Sequence, residues 1–193
     1  MNHGYYRTFV GVPLQVSPRF LSARDELMEM LAGERISWVD PSRYHITLRF
    51  IGDTRPSEIR KISHALKEVV EVPVKQHLLL ESPGSFGNRK QPRVLWIGLL
   101  MPEILFRLKE MTDAALQQSG IPPEEQPFHP HLTIGRIRNR VDSSAFHASV
   151  EAMRYRFREE VQVDKLVFYR SEPGRGGPVY TPLTRLDFKD QDI

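Results

Sequence analysis

Two short segments of this chain carry the same pattern of chemically capable residues. His45-Ile46-Thr47-Leu48 recurs 86 residues later as His131-Leu132-Thr133-Ile134, in each case His, aliphatic, Thr, aliphatic. His and Thr each occur seven times in the 193 residues. A shuffled chain of that composition would hold two such tetrapeptides only about once in ten thousand trials. Successive side chains of a strand alternate faces, so the aliphatic pair turns into a core while His and Thr share the other face, about 6.6 Å apart. A single His-x-Thr on a strand is most often a satisfied polar pair; its repetition in two halves of one chain points to a site. If the halves pack about a pseudo-twofold axis, two imidazoles and two hydroxyls converge on one cleft, a clamp for something small and anionic.

Those groups suit a phosphodiester. Imidazole titrates near pH 6.5, so one ring can take a proton from water while the other protonates a leaving oxygen. The Thr hydroxyls can donate to non-bridging phosphate oxygens as charge develops. This scheme needs no metal and no cofactor, and no acidic cluster suggests a metal. His129 and His131 could share a face, but Pro130 spoils a regular strand there and no third ligand stands at motif spacing. The chain has no cysteine, which removes disulfides, thiol nucleophiles, iron–sulfur clusters and thiolate zinc sites. No glycine-rich phosphate loop follows any predicted strand, which argues against P-loop and dinucleotide-type nucleotide binding. No activated nucleophile is suggested beside either His, so acyl transfer lacks support.

The elements that must position these residues are readable from periodicity. With 40% hydrophobic and 26% charged residues and a net charge of +3, the chain is an ordinary folded protein of one domain or two closely packed lobes. Strands are predicted at Tyr5–Val12, Tyr44–Ile51, His77–Glu81, Val94–Leu100, His131–Ile137, Val161–Tyr169 and Val179–Phe188. Helices are predicted at Ser17–Leu31, capped by Ser17 and stopped by Gly33, and at Ser57–Val70, Pro102–Gln118 and Ser143–Tyr155. Pro83–Pro92 and Ile121–Pro130 read as loops, and Gly174–Gly177 as a turn. The order is that of an α+β protein with an internal duplication, and the whole chain, residues 1–193, reads as a single unit. No secretory signal is evident, and the longest apolar run, Val94–Met101, is too short to span a bilayer. A cytoplasmic protein, monomeric and without a membrane partner, is the default expectation.

The paired motifs resemble those of the two-histidine (2H) phosphoesterases, and within them the RNA 2′,3′-cyclic phosphodiesterases, also called 2′-5′ RNA ligases. The similarity extends over nearly the whole chain, through Arg7–Val10, Tyr44–Gly52 (YHITLRFIG), Ser85–Leu99 (SFGNRKQPRVLWIGL), Phe128–Arg136 (FHPHLTIGR) and Tyr180–Leu183. The resemblance implies a bilobal, pseudo-twofold fold of two antiparallel sheets flanked by helices, with the active cleft between the lobes. It also implies hydrolysis of an RNA 2′,3′-cyclic phosphate, tRNA-derived ends among them, to a 2′-phosphomonoester, with reversible 2′-5′ ligation in some members. Carried over by position, His45 and His131 would be acid and base, and Thr47 and Thr133 would hold phosphate. Arg136 matches the family's basic residue five positions after the second His. The resemblance favours His45 as acid and His131 as base, although in a nearly symmetric site a flipped substrate would exchange them.

Regular alternation would turn Arg136 away from His131, so its participation requires a twist or bulge, which Gly135 could supply. By the same alternation Arg49 would share the face of Thr47 and reach an RNA backbone. Phe128, Phe86 and Phe9 are the candidates for stacking a terminal base, Phe128 first. Arg89, Lys90 and Arg93, and Arg136, Arg138 and Arg140, form local basic groups that near a cleft would add salt-dependent affinity. His64 and His77 read as structural or surface residues. Two competing readings remain: opening of another cyclic phosphate, such as ADP-ribose 1″,2″-cyclic phosphate, and a non-catalytic module that binds RNA ends.

Overall fold

The computed structural model describes residues 4–190. Its helices start where local chemistry says they should. Ser17 accepts from the Phe20 amide, and Pro18 opens α1, Pro18–Met30. Pro56 opens α2, Pro56–Val69, where the Glu58 carboxylate accepts from the Arg55 amide at 2.6 Å. These side chains satisfy amides that have no partner in the first turn. Helix α3, Glu103–Gln118, ends at Gly120, whose φ of +88° suits a residue without Cβ. Asp142 caps α4, Ser143–Ala152, by accepting from the Ser144 and Ala145 amides.

Nine strands complete the chain: β1 Tyr6–Pro13, β2 Ile36–Trp38, β3 His45–Thr54, β4 Gln76–Asn88, β5 Gln91–Leu100, β6 Leu132–Ile137, β7 Glu159–Val163, β8 Lys165–Glu172 and β9 Val179–Asp187. They form two antiparallel sheets, β3-β1-β8-β9 and β2-β6-β5-β4-β7. Apart from β2, the sheets match strand for strand: β3 corresponds to β6, β1 to β5, β8 to β4 and β9 to β7. This is the expected α+β, duplicated, two-sheet fold. The helices pair across the duplication, α2 with α3 and α1 with α4, while α3 lies against β3 and α4 against β4. Phe20 stacks edge-on against Tyr44 and Phe157 in the interior. The two motif strands β3 and β6 approach each other where the sheets meet.

Four segments depart from the periodicity reading. Pro83–Pro92 is not a loop but the end of a long β4–β5 hairpin that turns at Arg89-Lys90. Its prolines and glycines mark irregular pairing: the ladder shifts between Leu80 and Pro83, and again between Phe86 and Gly87. The expected single strand Val161–Tyr169 breaks at Asp164, and its two parts, β7 and β8, belong to different sheets. Helix α4 ends at Ala152, three residues early, and Ile36–Trp38 forms an added edge strand on β6.

Candidate active site

The two motifs reach the cleft with matching local geometry. In β3, pairing with β1 runs Val10↔Arg49 and then Gly11↔Thr47, leaving Leu48 unopposed. In β6, pairing with β5 runs Leu95↔Gly135 and then Trp96↔Thr133, leaving Ile134 unopposed. The bulged residue is therefore the fourth position of the tetrapeptide in both halves. A bulge resets alternation, so the residue three beyond each Thr returns to the Thr face. On β6 that residue is Arg136, and the bulge that its participation required is present. On β3 it is Phe50.

The same reset corrects the expectation for Arg49. It does not share the face of Thr47 but turns inward, 6% exposed. There its guanidinium donates to the Pro122 carbonyl at 2.6 Å and lies 3.5 Å from both Asp113 and Glu124. Lys109, also buried, joins Asp113 at 2.5 Å and Glu124 at 3.1 Å. This charged group ties β3 to α3 and to the 121–130 loop ahead of His131.

Each motif imidazole is oriented by the backbone two residues upstream. His45 Nδ1 lies 2.8 Å from the Arg43 carbonyl, and His131 Nδ1 lies 2.7 Å from the His129 carbonyl. A carbonyl only accepts, so Nδ1 carries the proton and Nε2 is the ring nitrogen left for a ligand. Gly11 lets the first ring lie flat across β1, since a Cβ there would stand 2.9 Å from the Ile46 oxygen and 3.3 Å from His45 Cδ2. Burial pushes both imidazoles below the ordinary histidine value; the carbonyl bonds oppose this, and the Arg136 guanidinium pushes both down further. One arginine thus acts on both rings.

Three cavities border the rings: one of about 480 Å³ is lined by Asp40, Arg43, His45, Arg175 and Tyr180, and two combine residues of both sheets. Of these two, one, of about 430 Å³, is lined by His45, Thr47, Thr133, Arg136, Arg138 and Tyr180, with Arg43 and the Gly174–Pro178 loop at its rim. The other, of about 350 Å³, is lined by Thr47, Phe50, Phe86, Phe128, His129 and His131. Both combine residues of the two sheets, so the cleft between lobes joins His45, Thr47, His131, Thr133 and Arg136. Phe86 packs edge-on to His131 at 4.7 Å, and Phe128 stacks edge-on with Phe106 at 5.4 Å. Phe9 does not face a ligand. It is 4% exposed, beneath the His45 ring at 4.8 Å and stacked on Tyr169 at 5.0 Å. No group of three or more His, Cys, Asp or Glu side chains placed to hold a metal ion occurs among the described residues.

A family model described as LigT-like phosphoesterase matches residues 10–96 and 100–180. The chain belongs to the LigT-like phosphoesterases. Among curated relatives, a Bacillus subtilis protein named RNA 2′,3′-cyclic phosphodiesterase is 32% identical over 147 residues, 75% of this chain and 78% of its own length. A protein of the same name from Methanothermobacter thermautotrophicus is 25% identical over 92% of this chain and 96% of its own. A solved structure from Thermus thermophilus superposes with a TM-score of 0.74 at 24% identity, covering 96% of this chain and all of that one. Apo Escherichia coli LigT superposes with a TM-score of 0.67 at 22% identity, over 97% and 99% of the two chains.

In this LigT-like chain, sequence reasoning missed Phe50, Tyr180 and Arg175. Phe50 had a usable signal, because it stands five residues after His45 as Arg136 stands five after His131. Tyr180, edge-on to His45 at 5.2 Å, and Arg175, at the rim of the larger cavity between the sheets, arrive from the C-terminal hairpin. The hairpin itself is legible in the sequence, but no motif spacing signals that it reaches the cleft. No helix among the described residues is long and apolar enough to cross a membrane.

Proposed function

We propose that the protein hydrolyses RNA 2′,3′-cyclic phosphate ends to 2′-phosphomonoesters by acid–base catalysis between His45 and His131. The observation that carries this reading is the matched pair of Nδ1-anchored imidazoles, each beside a Thr hydroxyl, on facing strands of one cleft. The curated relatives named for this reaction support it. In the reaction, His131 Nε2 takes a proton from water as the water oxygen bonds to phosphorus. The phosphorus–O3′ bond breaks, and His45 Nε2–H protonates O3′, leaving phosphate on O2′. Thr47, Thr133 and Arg136 donate to the non-bridging oxygens, where charge grows. Phe50, Phe86 and Phe128 receive the terminal base, since aromatic faces accept any base. The acid, base and phosphate donors all come from this chain, so the scheme routes no step through a metal. In this reading residues 1–193 act as one two-lobed unit that works as a cytoplasmic monomer; one chain supplies both halves of the cleft.

The test is an EDTA-treated assay on an oligonucleotide ending in a 2′,3′-cyclic phosphate, with products assigned by ³¹P NMR. A 2′-phosphate product, abolished by His45→Ala or His131→Ala, is expected. A substrate with sulfur in place of O3′ needs little protonation to leave, so it should rescue His45→Ala and not His131→Ala. Tight binding of the RNA end without turnover would instead favour a binding module.

A further inference from the structure

The larger of the two cavities between the sheets holds more positive charge than one phosphate requires. Arg136, Arg138 and Arg175 line it, and Arg43 forms part of its rim, while no Asp or Glu does. Among the ion pairs of the described residues, none uses any of these four arginines. Arg43 is nevertheless committed. It donates to the Pro178 carbonyl at 3.0 Å and to the Gly176 carbonyl at 2.9 Å. This ties the 174–178 loop beside His45, whose Nδ1 is held by the Arg43 carbonyl itself. The fit is close: Gly177 has a φ of +110°, and a Cβ there would stand 2.6 Å from Arg43 Nη1. Arg138 is steadied by donating to Ser37 Oγ at 2.9 Å. Arg175, at the tip of this anchored loop, makes no side-chain hydrogen bond or ion pair among the described residues; it lines this cavity together with Arg136 and Arg138, and also the adjoining one that includes Asp40. In the proposed reaction Arg136 serves the phosphate between the imidazoles, which leaves Arg138 and Arg175 in the basic cavity for a second anionic group.

We propose that Arg175, with Arg138, forms a subsite for the phosphodiester immediately upstream of the reacting nucleotide, so that the protein selects RNA chains over cyclic mononucleotides. This rests on the phosphodiesterase reading above. It follows from the shape of a nucleotide: the base and the O5′ linkage leave the ribose in different directions. With the cyclic phosphate between the imidazoles and the base in the aromatic cavity, the O5′ phosphate falls to the basic one. Two guanidinium contacts to a phosphate are charge-assisted and salt-sensitive.

The test compares kcat/KM for adenosine 2′,3′-cyclic phosphate, for the dinucleotide ApA ending in the same cyclic phosphate, and for that dinucleotide with an uncharged methylphosphonate linkage. Wild type should favour the charged dinucleotide over the mononucleotide by about tenfold or more, the scale of a charged hydrogen bond. The methylphosphonate should lose that advantage. Arg175→Ala should remove it and leave mononucleotide turnover unchanged, which also reports that the fold and the catalytic centre are intact. Arg175→Lys should retain part of it, and the salt slope of the dinucleotide reaction should fall by about one in Arg175→Ala. The control Arg154→Ala, on a residue that lines neither cavity, should change none of these. Equal wild-type efficiency on mononucleotide and dinucleotide would overturn the proposal, as would an Arg175→Ala loss shared equally by both. An Arg175 dependence confined to ADP-ribose 1″,2″-cyclic phosphate, whose pyrophosphate offers similar charge, would overturn the RNA assignment. Absence of turnover on every cyclic phosphate would instead sink the phosphodiesterase reading, and this proposal with it.

Discussion

The two halves of the cleft begin from the same tetrapeptide and end with different chemistry. Through the fourth motif position they agree: a His held at Nδ1 by the carbonyl two residues upstream, an inward aliphatic, an outward Thr and a bulged aliphatic. They part at the next two positions, Arg49-Phe50 in one half and Gly135-Arg136 in the other. The inward position holds a buried arginine where α3 supplies Asp113 and Lys109, and a glycine where β2 lies close. A Cβ on Gly135 would come within 2.9 Å of Ile36. The outward position holds a phenyl ring on one side of the cleft and a guanidinium on the other. A symmetric clamp thereby becomes a site with an aromatic side and a cationic side, which in the proposed reading would distinguish the two ends of a nucleotide. In the proposed reading, the parts that agree suit the chemistry common to any phosphodiester, and the parts that differ would set the direction in which the substrate lies.

If the halves are equal partners in the chemical step, His45→Ala and His131→Ala should each lower kcat by about 10²–10⁴. The double variant should fall little below the worse single one, because acid and base act as a unit. Retention of activity within tenfold by either single variant would break the comparison. The inward position is expected to show up in stability. Arg49→Met removes the cation shared by Asp113 and Glu124, and the cost should be about 3 kcal/mol, read as a lower denaturant midpoint. An unchanged midpoint would mean that Lys109 alone neutralises both carboxylates.

The outward pair should separate electrostatics from stacking. Arg136→Gln should lower kcat by about 10²-fold, the scale of losing one preorganised donor. It should also raise the titration midpoints of both His45 and His131, followed by NMR of the ring protons, since the guanidinium depresses both. Phe50→Ala should leave those midpoints in place and raise KM by about tenfold, the cost of one lost stacking partner. Midpoints that stay fixed in Arg136→Gln would show that burial alone sets them.

The smallest effect is a displacement of the pH profile. The proposed mechanism needs one imidazolium and one neutral imidazole, and burial holds both rings below the ordinary histidine value in the free protein. The required imidazolium is therefore lost as pH rises through a depressed value, and the alkaline limb of kcat/KM should lie below about pH 6.5. A bound phosphodiester anion favours the charged ring, so the alkaline limb of kcat should lie at higher pH. Coincident limbs would show that the substrate's charge is not felt by the rings.

Much of this was legible in residue order. Ser17, Pro18, Pro56 and Gly120 bound helices because capping and φ preferences are local. The His-x-Thr repeat named its strands because period-two alternation survives up to the bulge. Beyond the bulge the same rule failed, assigning Arg49 to the cleft and overlooking Phe50. Phe9 read as a stacking candidate because burial beneath His45 depends on which strand lies beside β1. The β4–β5 hairpin was hidden by Pro83, Gly84, Gly87 and Pro92, which mark breaks in a ladder as readily as its absence. The break at Asp164 carries no local signal, since β7 and β8 are both strand-forming and differ only in the sheet they join.

Composition, the doubled motif and its spacing determined the chemical inventory: two imidazoles, two hydroxyls, no thiol, and a duplicated α+β chain to present them. Those are properties of residue type and local period, which a sequence states directly. Tertiary structure decided the meeting of Arg136 with both imidazoles, the inward turn of Arg49, the aromatic cavity around Phe50 and the arrival of Arg175 on a loop fastened by Arg43. Each depends on a bulge register or on contact between segments far apart in the chain. Only packing selects among the pairings that local preferences allow.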